Sequence, residues 1–525
     1  MLRHILLFSL LTWCEVRAQA QNFPVSYDFN FYGSISDSLY SSKHKLHTSI
    51  KPFGIGDTMA NAAFDAVLAK RIKAVKPNFV LRKLFNEHLV QYYKPDYALY
   101  FDFYPDFQVG RAGAPTYLNT RGFQLGGRIG SQITFQTNLF EDQGRFPQYV
   151  SDFIRSSRVV PGQGYARPYG KNGFDFGYTD GYISYTPGKY FTFQIGHGKN
   201  FIGDGYRSLL LSDVSFSYPF IKIITTVGPF KYMNLWTQMQ YINASPFTDS
   251  TLFPKKYSVY QYLDWAIGHH VNVGIFQNTM IRPRGFDLNF INPLIFIRPT
   301  EFNIGNPDKS TIGFTGSYKF LEHYQLYSQI VINEFTLSKV FGDPGYYANK
   351  QGFQLGGRVF NLFKISHLNA LLEYNAVRPF TYTAVSSIIA YAHYAQPLGD
   401  ILGTNFRESI VIASYSWKRF NFRAQFLYAL RGLDDPTKPF QTTGGDLFKP
   451  YAYRLSNEGY LIGSGIRTNL YYADLRASYT LNYKNNLRFE LGYTRRDQSN
   501  VLGKSKTNYF TLGIKGSFRN LYYDF

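Results

Sequence analysis

The feature that most constrains this chain is an alternation of apolar and polar side chains with a period of two, kept up over long segments. In residues 121–139 the odd positions, such as Phe123, are largely apolar, and the even positions, such as Gln124, are polar. The pattern returns in residues 420–431 and 471–483. Because successive side chains of a strand point to opposite faces, each segment has one apolar and one polar face.

Strands of this length and pattern favour a transmembrane β-barrel over a soluble β-sandwich, whose strands are usually shorter and bury their apolar face. Beyond residue 20, no window approaches the roughly 18 consecutive apolar residues that a membrane-spanning helix requires. The 525 residues include 45 Tyr and 49 Phe, which fits a membrane barrel. At roughly 10 residues per crossing plus turns and loops, residues 96–525 predict about 16 to 18 antiparallel strands.

Residues 1–20 have the composition of an export signal. Arg3 precedes an apolar stretch, and the small residues Ala18 and Ala20 end the segment. This pattern predicts a cleaved secretory signal peptide. Its removal takes away Cys14, the one cysteine of the sequence. The mature chain would then have no thiol for catalysis or for a thiolate metal site.

The segment 21–95 differs from the rest because its apolar residues recur at helical spacing. Helices are predicted over about 57–75 and 78–93, with Pro77 and Pro95 directly after them. Each helix must bury one face, and a wide barrel offers its mouth for that purpose. We therefore predict a small helical bundle that plugs the periplasmic end of the barrel. A separate helical hairpin is the alternative.

Two further patterns concern the barrel strands. The sequence GFQLGGR occurs at residues 122–128 and again at 352–358, and its paired glycines predict close backbone approach or a bend beside an inward-pointing arginine. Near residue 525, the apolar residues Leu521, Tyr523 and Phe525 occupy every second position. This alternation predicts a closing strand, with a bulge shortly before it.

The formal net charge of +20 predicts anionic partners, such as lipopolysaccharide phosphates or an acidic glycan. Charge massed at the barrel rims against lipid phosphates is the alternative. The histidine spacing fits no zinc site, no nucleophile elbow is present, and the glycine-rich run 196–208 fits neither nucleotide fingerprint. The sequence therefore predicts no enzyme, no catalytic residue, no metal or cofactor site, and no nucleic-acid partner. In the glycine-rich run, Asp204 and Arg207 could pair with each other or bind a sugar or an ion, and internal pairing is favoured.

Three segments resemble the capsule assembly Wzi family, in the variant found among gliding-motility-associated outer-membrane proteins. They are residues 198–213 (GKNFIGDGYRSLLLSD), 290–302 (FINPLIFIRPTEF) and 391–408 (YAHYAQPLGDILGTNFRE). The resemblance implies an 18-stranded outer-membrane barrel whose periplasmic end is sealed by an N-terminal helical bundle. It also implies a role in holding surface polysaccharide at the cell.

By motif match, the candidate ligand-binding residues are Asp204, Arg207, Arg298, Glu301, His393, Gln396, Asn405, Arg407 and Glu408. For each of them the alternative is a structural ion pair or hydrogen bond in the lumen. We predict a non-enzymatic barrel of the outer membrane that attaches or assembles an anionic surface polysaccharide. Its further predicted partners are outer-membrane lipid, lipopolysaccharide, the barrel-assembly machinery and other outer-membrane proteins. The alternatives are an accessory subunit of a gliding-motility or protein-secretion machine, and a diffusion channel.

Overall fold

The computed structural model describes residues 26–525 except 44, 55, 72–77, 243–252, 286, 294–302, 304, 306–307 and 335. The predicted signal peptide, residues 1–20, lies outside the described residues, as do Arg298 and Glu301. Among the described residues, no helix is both long enough and apolar enough to cross a membrane.

Eighteen antiparallel strands form a closed barrel, which confirms the predicted fold class. The last strand pairs with the first, where Phe510 stands opposite Arg111. In chain order the strands are β1 Tyr97–Ala112, β2 Ala114–Ile129, β3 Ile133–Arg145, β4 Gly173–Tyr185, β5 Phe191–Gly198, β6 Tyr218–Val227, β7 Phe230–Gln240, β8 Lys255–Ile267, β9 Val271–Ile281, β10 Lys309–Phe320, β11 Tyr324–Glu334, β12 Lys350–Val359, β13 Leu368–Val377, β14 Phe406–Trp417, β15 Phe420–Leu433, β16 Ile466–Asn482, β17 Leu487–Asn500 and β18 Gly503–Lys515.

The remaining elements are short. The helices are Phe29–Gly33, Ser36–Leu39, Thr58–Arg71, Phe79–Phe85, Gln148–Ser157 and Leu337–Gly342, with 3-10 turns at Leu288–Ile291, Leu362–Lys364, Ser387–Ile389 and Tyr451–Tyr453. Small strands pair outside the barrel ladder or at its edge, namely Ile50–Lys51 with Phe201–Ile202, Val90–Tyr93 with β1, Val159–Val160 with Gly164–Tyr169, and Ala392–His393 with Gln396–Pro397.

The alternation seen in the sequence faces the way a membrane barrel requires. Phe123 and Leu125 of β2 are 38% and 42% exposed, whereas Gln124 between them is 4% exposed. The apolar side chains point outward and the polar ones point into the bore, which is the reverse of a soluble sandwich. The apolar residues stay on the outward face across the turn after β2, because Ile129 and Ile133 are paired and share one face.

The two ends of the barrel differ in the length of their connections. At one end, here called the short-turn end, most connections are as short as residues 228–229 and 268–270. At the other, here called the loop end, the connections include residues 199–217, 378–405 and 434–465. In outer-membrane barrels the short turns lie on the periplasmic side and the longer loops on the outside.

The seam between β18 and β1 is divided at Pro105. On one side of it, β18 pairs with β1 as far as Lys515 opposite Asp106. The Gly516 N–H still donates to the carbonyl of Pro105 at 2.6 Å, but Pro105 has no N–H to donate in return, and the ladder ends at this bond. The rest of β1 pairs instead with Val90–Tyr93.

This seam corrects two predictions. The helix predicted over about 78–93 ends at Phe85, because residues 90–93 are extended along β1. The closing strand predicted to include Leu521, Tyr523 and Phe525 ends at Lys515, because its place beyond Pro105 is taken. Residues 516–525, here called the lumenal segment, turn into the bore instead.

The short-turn half of the bore is filled by residues 26–71 rather than by the two predicted helices alone. Phe64 of helix Thr58–Arg71 is buried, and its ring stacks 5.6 Å from that of Phe31. Phe31 in turn contacts Phe518 of the lumenal segment, with 4.8 Å between ring centroids. Helix Phe79–Phe85 has no buried residue and lies at the short-turn end, where Asn482 donates to the carbonyls of Lys83 and Glu87.

The repeated GFQLGGR segments both make room for a tyrosine from the neighbouring strand. A Cβ on Gly126 would lie 2.3 Å from the hydroxyl of Tyr100, and a Cβ on Gly356 would lie 2.2 Å from the ring of Tyr327. The two glycines therefore solve one packing problem twice, and the group that comes close to each is a tyrosine side chain rather than the predicted backbone. Arg358 points inward, as predicted, and is 8% exposed.

Candidate functional site

Two of the long connections fold into the bore instead of outward. These inward loops, residues 199–217 and 378–405, bond to each other, since the Tyr382 hydroxyl donates to the carbonyl of Leu209 (2.6 Å) and the Ser212 N–H donates to that of Leu398 (2.7 Å). Leu209 and its two following leucines are fully buried. Burial of a leucine stabilises by about 1.5–3 kcal/mol, so the bore contains a hydrophobic core.

Arg207 lies at the centre of this interior and is 1% exposed. Its guanidinium nitrogens are 3.0 Å from Asp524, 3.5 Å from Glu408 and 3.9 Å from Asp400. Its backbone N–H donates to Glu373 at 3.0 Å. Burial lowers the pKa of Arg207, but Asp524, Glu408 and Asp400 together raise it well above the ordinary value. The arginine therefore acts as the internal counter-ion of a carboxylate cluster.

Asp204 does not pair with Arg207 as the sequence had allowed. Its carboxylate accepts from the Ser49 hydroxyl (3.4 Å) and lies 3.8 Å from Nζ of Lys51. Lys51 also donates to the carbonyl of Gly203 at 2.5 Å. Burial lowers the pKa of Lys51 to about 7, against the opposing effect of Asp204. These contacts join the N-terminal segment to the first inward loop.

His393 and Gln396 tie the second inward loop to neighbouring backbone. The Gln240 N–H donates to Nδ1 of His393 (3.1 Å), so the proton is on Nε2, which donates to the carbonyl of Ser217 (3.2 Å). Burial lowers the pKa of His393 to about 3, which keeps the ring neutral. Gln396 accepts from the Gly162 N–H (3.2 Å) and donates to the carbonyl of Val214 (3.4 Å).

Asn405 and Glu408 are equally enclosed, whereas Arg407 is not. The Asn405 amide donates to two backbone carbonyls and accepts from the Gly463 N–H at 2.8 Å. Glu408 accepts from the Asn375 amide at 2.9 Å in addition to its contact with Arg207. Arg407 is exposed on the outward face of β14.

Six of the nine sequence candidates are thus at most 4% exposed and bonded to protein groups, namely Asp204, Arg207, His393, Gln396, Asn405 and Glu408. Their arrangement holds the inward loops, the N-terminal segment and the strand wall together. Arg298 and Glu301 lie outside the described residues. A ligand role for any of the nine stays a prediction.

The lumenal segment completes the filling of the bore. Arg519 lies 3.5 Å from Asp106 and 3.6 Å from Asp142, and Asn520 donates to Asp213 at 2.7 Å. Further along, Asp524 is the acid that is 3.0 Å from Arg207. The segment is therefore bonded to the barrel wall and to the first inward loop.

A cavity of about 300 Å³ remains between the lumenal segment and the inner wall of β14–β18. Its charged lining is largely paired: Arg476 is 2.7 Å from Asp474, and Lys515 is 2.8 Å from Glu490. The volume is at the lower end of ligand pockets, about 300–1,000 Å³. The cavity lies beside the segments that fill the bore.

The loop end carries a set of rings that are not enclosed, here called the loop-end aromatic cluster: Tyr346, Tyr347, Phe440, Tyr451 and Tyr453. Centroids of Tyr346 and Tyr347 are 5.1 Å apart, and those of Tyr347 and Tyr451 are 6.1 Å apart. Phe440 and Tyr453 form an edge-on pair at 5.8 Å and are 74% and 37% exposed.

Cations lie directly over two of these rings. The guanidinium carbon of Arg454 is 3.7 Å from the Tyr347 centroid, and Nζ of Lys350 is 3.8 Å from that of Tyr451. The backbone holds the loops together, because the Tyr347 N–H donates to the carbonyl of Asn457 at 2.9 Å. Lys350 is 2% exposed and lies 2.7 Å from Glu334, so it supports the rings from beneath, whereas Arg454 is partly exposed. The rings and Arg454 therefore form a built surface, not a set of loose side chains.

Such a surface suits a sugar polymer. Aromatic faces pack against the apolar faces of sugar rings, and guanidinium groups bind carboxylates with two parallel hydrogen bonds. Sequence reasoning missed this cluster. Its signal was the run Lys-Pro-Tyr-Ala-Tyr-Arg at residues 449–454 and the Tyr346-Tyr347 pair, both in loops rich in Gly, Pro and Asp.

No family model and no curated protein sequence matches the chain. In fold, the chain resembles the outer-membrane protein Wzi of Escherichia coli. That protein is described as involved in group 1 capsule assembly and as a carbohydrate-binding β-barrel; the TM-score is 0.56 and the identity 14%, over 94% of this chain and 99% of Wzi. The outer-membrane protein OprD of Pseudomonas aeruginosa gives a TM-score of 0.45 at 10% identity, over 83% of this chain and 97% of OprD. The likeness to Wzi establishes an outer-membrane-type barrel.

Proposed function

We propose that this protein is a non-enzymatic barrel of the outer membrane that binds surface polysaccharide and takes part in its attachment or assembly. The observation that carries the proposal is the contrast between a filled bore and a built aromatic and cationic surface at the loop end. Because the bore is filled, a long polymer would contact the protein at the loop end. Many weak contacts along such a polymer add up to strong attachment.

Two independent likenesses support this proposal. The fold is similar to that of Wzi, which is described as a carbohydrate-binding barrel involved in capsule assembly. Residues 198–213 and 391–408, which resemble Wzi-family motifs, lie largely in the two inward loops. We propose that the family resemblance extends to this role, with export by a cleaved signal peptide.

The positive net charge of +20 supports an anionic polysaccharide as the ligand. Arg454 over Tyr347 offers a uronate or phosphate group a cation beside a stacking surface. Outer-membrane lipid, the barrel-assembly machinery and other outer-membrane proteins complete the proposed set of partners.

The test is binding of the purified full chain in detergent to an acidic polysaccharide and to a neutral one, measured by calorimetry. We expect Tyr453→Ala to weaken binding of the acidic polymer about two- to tenfold, since ring stacking is worth about 0.5–1.5 kcal/mol. Arg454→Gln should weaken it by about tenfold to a hundredfold, since a charge-assisted hydrogen bond is worth about 1.5–3 kcal/mol. Arg454→Gln should have little effect on the neutral polymer.

The matched control lies at the short-turn end, where Nζ of Lys189 is 4.8 Å from the ring centroid of Tyr190. Tyr190→Ala and Lys189→Gln remove the same kinds of group from the opposite end and should leave affinity unchanged. Equal losses in both pairs would contradict the proposed location. Full retention of cell-bound polysaccharide in a deletion strain would contradict the proposed role.

The same preparations distinguish the two alternative functions. A diffusion channel would conduct ions in planar bilayers, which the filled bore does not favour. A motility or secretion subunit would co-purify with stoichiometric protein partners in mild detergent while binding no polysaccharide.

A further inference from the structure

The outward face of four consecutive strands, β16, β17, β18 and β1, carries a patch of cations at the loop end. All of its members are exposed and share the outward parity of their strands, and they are Arg111, Arg467, Arg495, Lys504 and Lys506. This outer cationic patch faces away from the bore. The loop-end aromatic cluster is not part of it.

The side chains on this outward face change in a fixed order toward the loop end. An apolar row comes first, formed by Leu491, Leu512 and Val109, which are 57%, 56% and 64% exposed. Two residues further along each strand is an aromatic row, in which the rings of Tyr493 and Phe510 are 4.7 Å apart. The cations begin in that row and extend beyond it. This is the order of groups met on passing from hydrocarbon to the charged boundary of a membrane.

Little negative charge offsets the patch. Asp497 is 2.9 Å from Arg495 and stands opposite Lys506 in the ladder. Among the described residues, Arg111, Arg467, Lys504 and Lys506 have no ion pair. Lys504 and Lys506 are two positions apart on one strand, so their backbones are about 7 Å apart on the same face. Several uncompensated cations at this spacing fit a ligand with more than one phosphate.

We propose that the outer cationic patch binds the bisphosphorylated headgroup of lipid A, the glycolipid anchor of lipopolysaccharide. Its acyl chains would lie along the apolar row, and its two phosphates would meet the lysines and arginines above the aromatic row. A phospholipid with a single phosphodiester uses only one of these cations. The patch is at the end where connections are long, which in outer-membrane barrels faces the outer leaflet.

The test is native mass spectrometry of the full chain in detergent, titrated with bisphosphorylated lipid A, monophosphorylated lipid A or phosphatidylglycerol. We expect the bisphosphorylated form to bind at least tenfold more tightly than phosphatidylglycerol, with the monophosphorylated form between them. The double variant Lys504→Gln with Lys506→Gln should weaken lipid A binding by about fivefold per cation removed.

The control variant removes two exposed lysines at the short-turn end, Lys189→Gln with Lys418→Gln, and should bind lipid A as the unchanged protein does. Retained heat-modifiable migration on gels shows that both variants are folded barrels. Equal binding of phosphatidylglycerol and lipid A would overturn the proposal, as would equal losses in the two double variants.

Discussion

The inward loops and the loop-end aromatic cluster begin at the same end of the barrel but end in opposite environments. In the inward loops, Tyr382 and Tyr391 are fully buried, and their hydroxyls donate to the carbonyls of Leu209 and Leu210. In the cluster, Phe440 and Tyr453 keep 74% and 37% of their surface exposed. Aromatic residues thus serve as core in one region and as a contact surface in the other.

The difference teaches that a dense run of distinctive residues in this barrel can build its interior rather than an exposed surface. A bore of eighteen strands is wide, and the segments that fill it must satisfy every buried polar group. Asn405 meets that demand with three hydrogen bonds to backbone groups, and Arg207 contributes as the counter-ion of three carboxylates. Loops outside the bore are in contact with water, which can bond to their polar groups, so their side chains are free to contact a partner.

The largest expected effect comes from the buried arginine Arg207, set against the exposed arginine Arg407 of another candidate segment. Arg207→Met should destabilise the protein by about 3–5 kcal/mol, because it leaves Asp400, Glu408 and Asp524 without a counter-ion. Arg407→Met should change stability by no more than about 0.5 kcal/mol, because Arg407 is exposed. Urea unfolding followed by tryptophan fluorescence measures both. Similar losses in the two variants would contradict the assignment of Arg207 as an internal counter-ion.

An intermediate effect is expected from pH. The pKa of His393 is about 3 in the folded protein and about 6.5 in an unfolded chain. Between these values the unfolded chain binds the extra proton, so this histidine's contribution to stability falls as the pH is lowered from 6.5 to 3. Between pH 7 and 4.5 the unchanged protein should lose about 2 kcal/mol more than the variant His393→Gln.

The comparison between the two proteins isolates the histidine from the many carboxyl groups that titrate in the same range. The free energy of unfolding is measured for each at both pH values. The same pH slope in both proteins would show that the ring is not the neutral link between Gln240 and Ser217.

The smallest expected effect belongs to the loop-end aromatic cluster. Phe440→Ala should change the free energy of unfolding by about 0.5 kcal/mol or less, because its side chain is 74% exposed, and Tyr453→Ala, at 37% exposure, by about 1 kcal/mol or less. Tyr391→Ala, at a fully buried ring, should cost about 3–5 kcal/mol in the same assay. A large loss for the exposed pair would mean that the cluster is part of the core.

Sequence reasoning recovered the barrel because its signal is local. The alternation around Phe123 and Gln124 follows from the two faces of a strand and needs no knowledge of distant residues. It singled out the glycines of the repeated segment, but not the tyrosine side chains that crowd Gly126 and Gly356. It failed at the seam, where the fate of residues 86–93 and 516–525 depends on which segment pairs with β1 beside Pro105.

The candidate residues show the same limit. The motif match picked out Asp204, Arg207 and His393, and these residues do converge in the bore. Their partners Ser49, Asp524 and Ser217 are 155, 317 and 176 positions away in the chain. Nothing in the local pattern identifies such partners. The cluster around Tyr347 and Tyr451 likewise depends on two loops that the barrel brings together.

The arrangement at the seam has a consequence for the order of assembly. Residues 26–71 precede β1, the lumenal segment follows β18, and both are packed inside the cylinder that these two strands close. The two segments also bond to each other, because the Phe29 N–H donates to the side-chain oxygen of Asn520 at 2.8 Å. Once β1 and β18 are paired, neither segment can leave the barrel through its wall. A route into the interior through the wall therefore exists only before these two strands pair, and afterwards each segment can enter only through an end of the barrel.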